Sequence, residues 1–250
     1  MTRIKASLAL VGSRLPWLRR LDSRLLLVFL VLALSLAAFS NIASEVIEGE
    51  TLGFDGWLLR SLRDGADPSL PIGPAWLNEA MVEITVVGGT TVLTLVTAFA
   101  AFYLLARRKW ALALFVAGTI GTGAIVNAIL KSFFLRDRPD LVPHLVEVSS
   151  ASFPSGHAMN SAMVYLTLAA LLVTAERSWR VRIFLMSAAL FVTLAVGFSR
   201  IYLGVHWPTD VLAGWSVGAS WAVVSALVAQ RLQRTRHIEG DEPEEGGRAG

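Results

Sequence analysis

Leu25 to Ser44 is a run of twenty residues without a charged side chain, and about 20 apolar residues in a helix suffice to cross the hydrocarbon core of a bilayer. Similar runs recur at Ile84–Ala106, Ala111–Leu130, Ala158–Ala175, from Ile183 to about Ser199, and at Val211–Ala229. Lipid offers backbone amides no partners, so such runs are driven into helices. An all-α bundle of six transmembrane helices is therefore expected. Composition agrees: 16% of residues are charged, against about 25% in soluble domains. A secretory signal would show a shorter apolar core and a small-residue cleavage site, so the first run is expected to stay as a span.

The segments between the runs set an orientation. Residues 1–24 form a basic leader, and residues 231–250 a tail expected to be disordered. With the N-terminus inside, the leader, Arg107-Arg108-Lys109, the Arg177–Arg182 turn and the tail hold sixteen lysines and arginines, and the outer segments hold six. That bias fits both termini inside. Phe54, Trp57, Leu58, Leu59 and Leu62 recur at helical spacing, which predicts a short amphipathic helix on the membrane surface after the first span, followed by a Pro-rich loop. Basic residues dispersed among apolar runs read as topology signals, not as a nucleic-acid surface. The absence of cysteine excludes disulfides, thiolate metal sites and a cysteine nucleophile.

In this layout the polar residues near the span ends fall at one membrane face. Lys131 closes the third run and Arg138 follows it. Ser155-Gly156-His157 opens the fourth, where Ser155 suits an N-cap, Gly156 allows close backbone approach, and the free N–H groups of a helix start attract anions. Arg200, His206 and Asp210 lie between the fifth and sixth runs. Pro208 suits a first helical turn, which would bring Asp210 about one turn beyond His206, so that a carboxylate orients one imidazole nitrogen and leaves the other free to attack. Three cations, an anion-binding helix start and two histidines answer the needs of phosphate chemistry: charge neutralisation, a nucleophile and a proton donor. The same cluster could instead be interfacial salt bridges. A carboxylate set of the kind that holds magnesium or manganese is not present in the pattern, so no metal and no cofactor are expected.

Three spaced motifs carry a family resemblance. They are Lys131, six residues, then Arg138-Pro139; Pro154-Ser155-Gly156-His157; and Ser199-Arg200, five residues, His206, three residues, Asp210. In order and spacing the chain resembles the type 2 phosphatidic acid phosphatase superfamily, which includes vanadium haloperoxidases. The resemblance covers about 130–230, and extends more loosely to the six-span layout and the loop from Phe54-Asp55 to Pro74. It implies that His206 is a nucleophile forming a phosphohistidine, that Asp210 orients it, and that His157 protonates the leaving oxygen. It further implies that Lys131, Arg138, Arg200, Ser155 and Gly156 hold the phosphate, without a metal. The expected substrate is a lipid phosphate or polyprenyl diphosphate, cleaved at the outer face of a bacterial plasma membrane. Two alternatives use the same cluster: a phosphotransferase that passes the group to a lipid or sugar hydroxyl, and an anion or lipid transporter.

Overall fold

The computed structural model describes residues 23–49 and 52–239. Nearly all of the expected basic leader, and residues 240–250 of the expected tail, lie outside the described residues. The elements are α1 (Ser23–Glu48), α2 (Leu52–Ser61), α3 (Ala75–Val87), α4 (Thr90–Ala106), α5 (Trp110–Phe134), α6 (Gly156–Ala175, with a π-helical turn at Ala162–Leu166), α7 (Trp179–Tyr202) and α8 (Pro208–Glu239). Among the described residues there is no strand, only an isolated bridge between Arg63 and Pro71.

Among the described residues, five helices are long and apolar enough to span a membrane alone: Val28–Glu48 of α1, then α5, α6, α7 and Pro208–Leu232 of α8. The pair α3 and α4, bent by 48°, passes the same test of length and composition when taken together, which brings the candidate spans to six. The sequence predicts an unbroken second span from Ile84; the structure breaks it at Gly88-Gly89. The break has a packing cause. A Cβ on Gly88 would stand 2.2 Å from Val196 Cγ1 of α7, so the backbone turns where α3 lies hard against α7.

The helices also run past the expected span ends. α5 continues through Lys131 to Phe134, α7 through Arg200 to Tyr202, and α8 starts at Pro208 and reaches Glu239, into the expected tail. Hydropathy stops a span at its first charge, whereas the backbone continues as long as the charge finds partners. Large side chains such as Phe99, Leu114, Phe184 and Phe191 remain exposed along the helices, as expected where lipid is the solvent.

Burial concentrates instead at one end of the bundle. Ile201, Trp207 and Val211 pack with Leu59, Leu62 and Ala158. Tyr202, Leu203 and Val205 pack under Leu77, Met81 and Val82 of α3 and Leu145, Val146 and Val148 of the α5–α6 connection. Ala43, Phe153 and Ala213 join Phe39 and Phe134. The expected amphipathic helix is α2, but its faces divide differently: Phe54 and Trp57 are exposed, while Asp55, Leu59 and Leu62 are buried against the bundle end. The helix lies on protein as well as facing outward.

Candidate active site

The buried end holds a cavity of about 560 Å³ lined by Lys131, Arg138, Gly156, His157, Arg200 and His206, together with Thr85, Asn127 and Asn160. Helix ends deliver Lys131, His157 and Arg200, while Arg138 and His206 come from the connections that follow α5 and α7. Lys131 projects from the last turn of α5, where a cation complements the helix dipole. His157 stands in the first turn of α6, Arg200 in the last turn of α7, and Asp210 in the first turn of α8.

The polar contacts fix their aim. The Arg138 Nε donates to the Ser150 carbonyl at 2.8 Å and its Nη1 to the Val205 carbonyl at 2.6 Å. Lys131 Nζ donates to the Ala151 carbonyl. Arg200 Nη1 donates to Thr85 Oγ1 at 2.9 Å, and its Nε is buried without a protein partner. Ser155 occupies the N-cap position of α6, but its side chain does not cap. Its Oγ is buried and unpartnered, and its backbone N–H donates to the Asp210 carbonyl at 3.0 Å. At Gly156 a Cβ would meet Asn127 Nδ2 at 2.9 Å, so a side chain there would crowd the cavity wall.

His206 sits at 1% exposure. Its Nδ1 lies 3.4 Å from Asp210 Oδ2 and 3.3 Å from Ser152 Oγ, and Ser152 donates to the same Oδ2. Its Nε2 faces Arg138 Nη1 at 3.3 Å. A guanidinium only donates and a carboxylate only accepts, which assigns the hydrogen to Nδ1 and the lone pair to Nε2. Burial first, then the charges of Arg138, Arg200 and Lys131, hold the imidazole well below its ordinary pKa. His206 is thus a neutral base with its lone pair facing Arg138 at the cavity wall.

The start of α8 is a second local device. Trp207 is the N-cap residue and Pro208 the first helical residue. Asp210 Oδ2 accepts the Trp207 N–H at 2.9 Å, the reach-back half of a capping box. One carboxylate therefore serves both the helix start and the histidine.

Known proteins share this sequence pattern and fold. Residues 110–234 match the PAP2 superfamily. The chain belongs to that superfamily. It is 42% identical over 147 residues to phosphatidylglycerophosphatase B of Bacillus subtilis (strain 168), which is 57% of this chain and 70% of that one. It is 30% identical over 113 residues to an undecaprenyl-diphosphatase of Sulfolobus acidocaldarius, covering 45% of this chain and 46% of the other. The crystal structure of the Bacillus subtilis PAP2-type phosphatidylglycerolphosphate phosphatase superposes with a TM-score of 0.70 at 31% identity, over 81% of this chain and 98% of that one. The PAP2 chain described here is accordingly a membrane enzyme of the phosphatase class.

All eight residues expected at the site meet at this one end of the PAP2 bundle. The cavity takes Lys131, Arg138, Gly156, His157, Arg200 and His206; Asp210 stands behind His206, and Ser155 behind Gly156. The sequence reading missed Ser152, Asp55 and Arg136. Arg136 counts there as one more outer cation, yet it bonds Asp210 at 2.6 Å and Asp55 at 2.9 Å. A signal for a hidden partner did exist: Trp207 is a poor N-cap, so the amides starting α8 need acceptors from elsewhere.

Proposed function

We propose that this PAP2 enzyme hydrolyses a lipid phosphate or polyprenyl diphosphate at the outer face of the plasma membrane through a phosphohistidine on His206. The observation that carries the reading is the His206 Nε2 lone pair at the wall of a cavity lined by Lys131, Arg138 and Arg200. The cations neutralise the phosphate oxygens, with Gly156 N–H and the unpartnered Ser155 hydroxyl as further donors. Nε2 attacks phosphorus, the bond from phosphorus to the lipid oxygen breaks, and His157 gives its proton to that oxygen. His157 then takes a proton from water as the water oxygen attacks, the phosphorus–nitrogen bond breaks, and phosphate leaves. Charge neutralisation comes from side chains, so the reaction requires no metal.

A lipid substrate is supported by a second cavity of about 320 Å³ between α4, α5 and α6. It is lined by residues such as Leu93, Ala98, Ala101 and Ile120, and it shares Thr90 and Asn160 with the first. A phosphate in one cavity and an apolar chain in the other fit a single lipid. The names of the relatives, a phosphatidylglycerophosphatase and an undecaprenyl-diphosphatase, favour the same class. The outward orientation is supported by the basic turns Arg107–Lys109 and Arg177–Arg182, which sit at the ends of α5 and α7 opposite Lys131 and Arg200.

The test is phosphate release by purified protein in detergent with EDTA, using phosphatidic acid, phosphatidylglycerol phosphate and undecaprenyl diphosphate, with His206→Ala as control. Release that depends on His206 is expected. Release unaffected by His206→Ala, or strict dependence on added metal, would overturn the reading.

A further inference from the structure

Behind the nucleophile lies a buried ion network that the phosphoryl-transfer steps do not use. Asp55 of α2 and Asp210 of α8 are both fully buried, and Arg136, between α5 and α6, bridges them. Arg136 Nη1 donates to Asp210 Oδ1 at 2.6 Å and to Thr209 Oγ1 at 2.9 Å, while its Nη2 donates to Asp55 Oδ2 at 2.9 Å. Asp55 in turn accepts the Thr209 N–H at 2.9 Å and the Thr209 hydroxyl at 2.7 Å. The guanidinium also stacks over Trp207, 5.3 Å from the ring centroid.

The two oxygens of Asp210 are divided by this arrangement. Oδ1 is held by Arg136, and Oδ2 faces Ser152, the Trp207 N–H and His206 Nδ1. Rotation of the carboxylate would break the short contact to Arg136. Asp55 supplies the acceptor for the α8 start that Trp207 lacks, and it does so from a helix 154 positions earlier in the chain. A carboxylate there is also favoured by the positive end of the helix dipole.

We propose that Asp55 and Arg136 are positioning residues for the reaction: together they fix the Asp210 carboxylate, and through it the tautomer and aim of His206. The inference rests on the phosphohistidine reading. Neither residue lines the phosphate cavity, so their loss acts on the rate of phosphoryl transfer and not on lipid binding. The nearest physical parallel is the outer partner of a ligating histidine, whose removal typically costs about 10–100-fold.

The experiment is rapid-quench measurement of phosphohistidine formation with ³²P-labelled phosphatidic acid, alongside steady-state KM. The proteins are wild type, Arg136→Gln, Asp55→Asn, the double variant and Thr209→Val. Arg136→Gln is expected to slow phosphorylation about 100-fold with KM changed less than about 3-fold, and Asp55→Asn about 10-fold. The double variant is expected to be no slower than Arg136→Gln, because the pair acts as a unit. Removing one partner strands a buried charge, so Thr209→Val, which keeps every charge and deletes only the bridging hydroxyl, serves where a single variant does not fold; a several-fold drop is expected. Ring ¹⁵N shifts of His206 supply a readout that a purely structural role leaves unmoved, with the Nδ1–H form giving way to a mixture in Asp55→Asn. Wild-type phosphorylation rates in the folded variants, or a loss confined to KM, would overturn the proposal. Absence of phosphohistidine in the wild type would instead sink the reading beneath it.

Discussion

Arg138 holds its Nη1 3.3 Å from the Nε2 of His206 while anchoring the same nitrogen on the Val205 carbonyl at 2.6 Å. The guanidinium is thereby fixed beside the nitrogen that attacks in the proposed mechanism, where it can follow phosphate oxygens as charge develops. Arg138→Lys replaces a planar fork by a point charge. It is expected to lower kcat about 100-fold, in the range for losing one transition-state donor, and steady-state phosphate release checks this. Full activity would place Arg138 outside the phosphate site.

His206 makes stability depend on pH. Burial and the neighbouring cations keep its folded-state pKa well below the ordinary value. Above about pH 6.5 folded and unfolded chains are both neutral at this residue, and it contributes no slope. Below that, the unfolded chain takes up a proton that the folded chain refuses, so stability falls with falling pH by up to about 1.4 kcal/mol per unit from this group. Thermal unfolding in detergent should therefore show a larger loss from pH 7.5 to 5 in wild type than in His206→Gln. Equal losses would show that the histidine titrates normally.

The break between α3 and α4 depends on the missing side chain at Gly88. A Cβ there would meet Val196 Cγ1 at 2.2 Å. Gly88→Ala is expected to cost about 1–3 kcal/mol, the usual penalty of overpacking. The melting temperature in detergent would fall, and Val196→Ala in the same chain would restore part of it. An unchanged melting temperature in Gly88→Ala would show that α3 and α7 can move apart freely.

The apolar cavity predicts a chain-length effect. Gly121 lines it and has open space where a Cβ would stand. Gly121→Phe adds a ring at a position whose Cβ meets no neighbour within 4 Å. It is expected to reduce kcat/KM about 10-fold for long-chain phosphatidic acid, in line with losing burial of about two methylenes, and to spare a dihexanoyl substrate. Equal effects on both would place the lipid chain elsewhere.

The residues that line the cavity are legible in the sequence and those behind them are not. Lys131, Arg200 and His206 stand out because a charge or imidazole among apolar residues is costly unless used. Asp55 and Arg136 carry charges too, but in polar connections where a charge is unremarked. Only the fold shows that Arg136 ties the buried Asp55 to Asp210. Ser152 is one of several serines in its loop, and its hydroxyl gains meaning from lying between His206 and Asp210. The unbroken second span failed for a similar reason. Gly88-Gly89 reads equally well as close helix packing and as a bend, and Val196 decides between them from another helix. Helix existence follows from local composition, whereas bends and charge pairing follow from neighbours far along the chain.

The most direct measurement is rapid chemical quench of the wild-type enzyme with ³²P-labelled phosphatidic acid, followed by peptide mapping of the labelled protein. The expected result is an alkali-stable, acid-labile label on His206 that forms faster than phosphate is released and is missing in His206→Ala. Turnover at full rate with no label on His206 at any quench time would contradict a phosphohistidine mechanism.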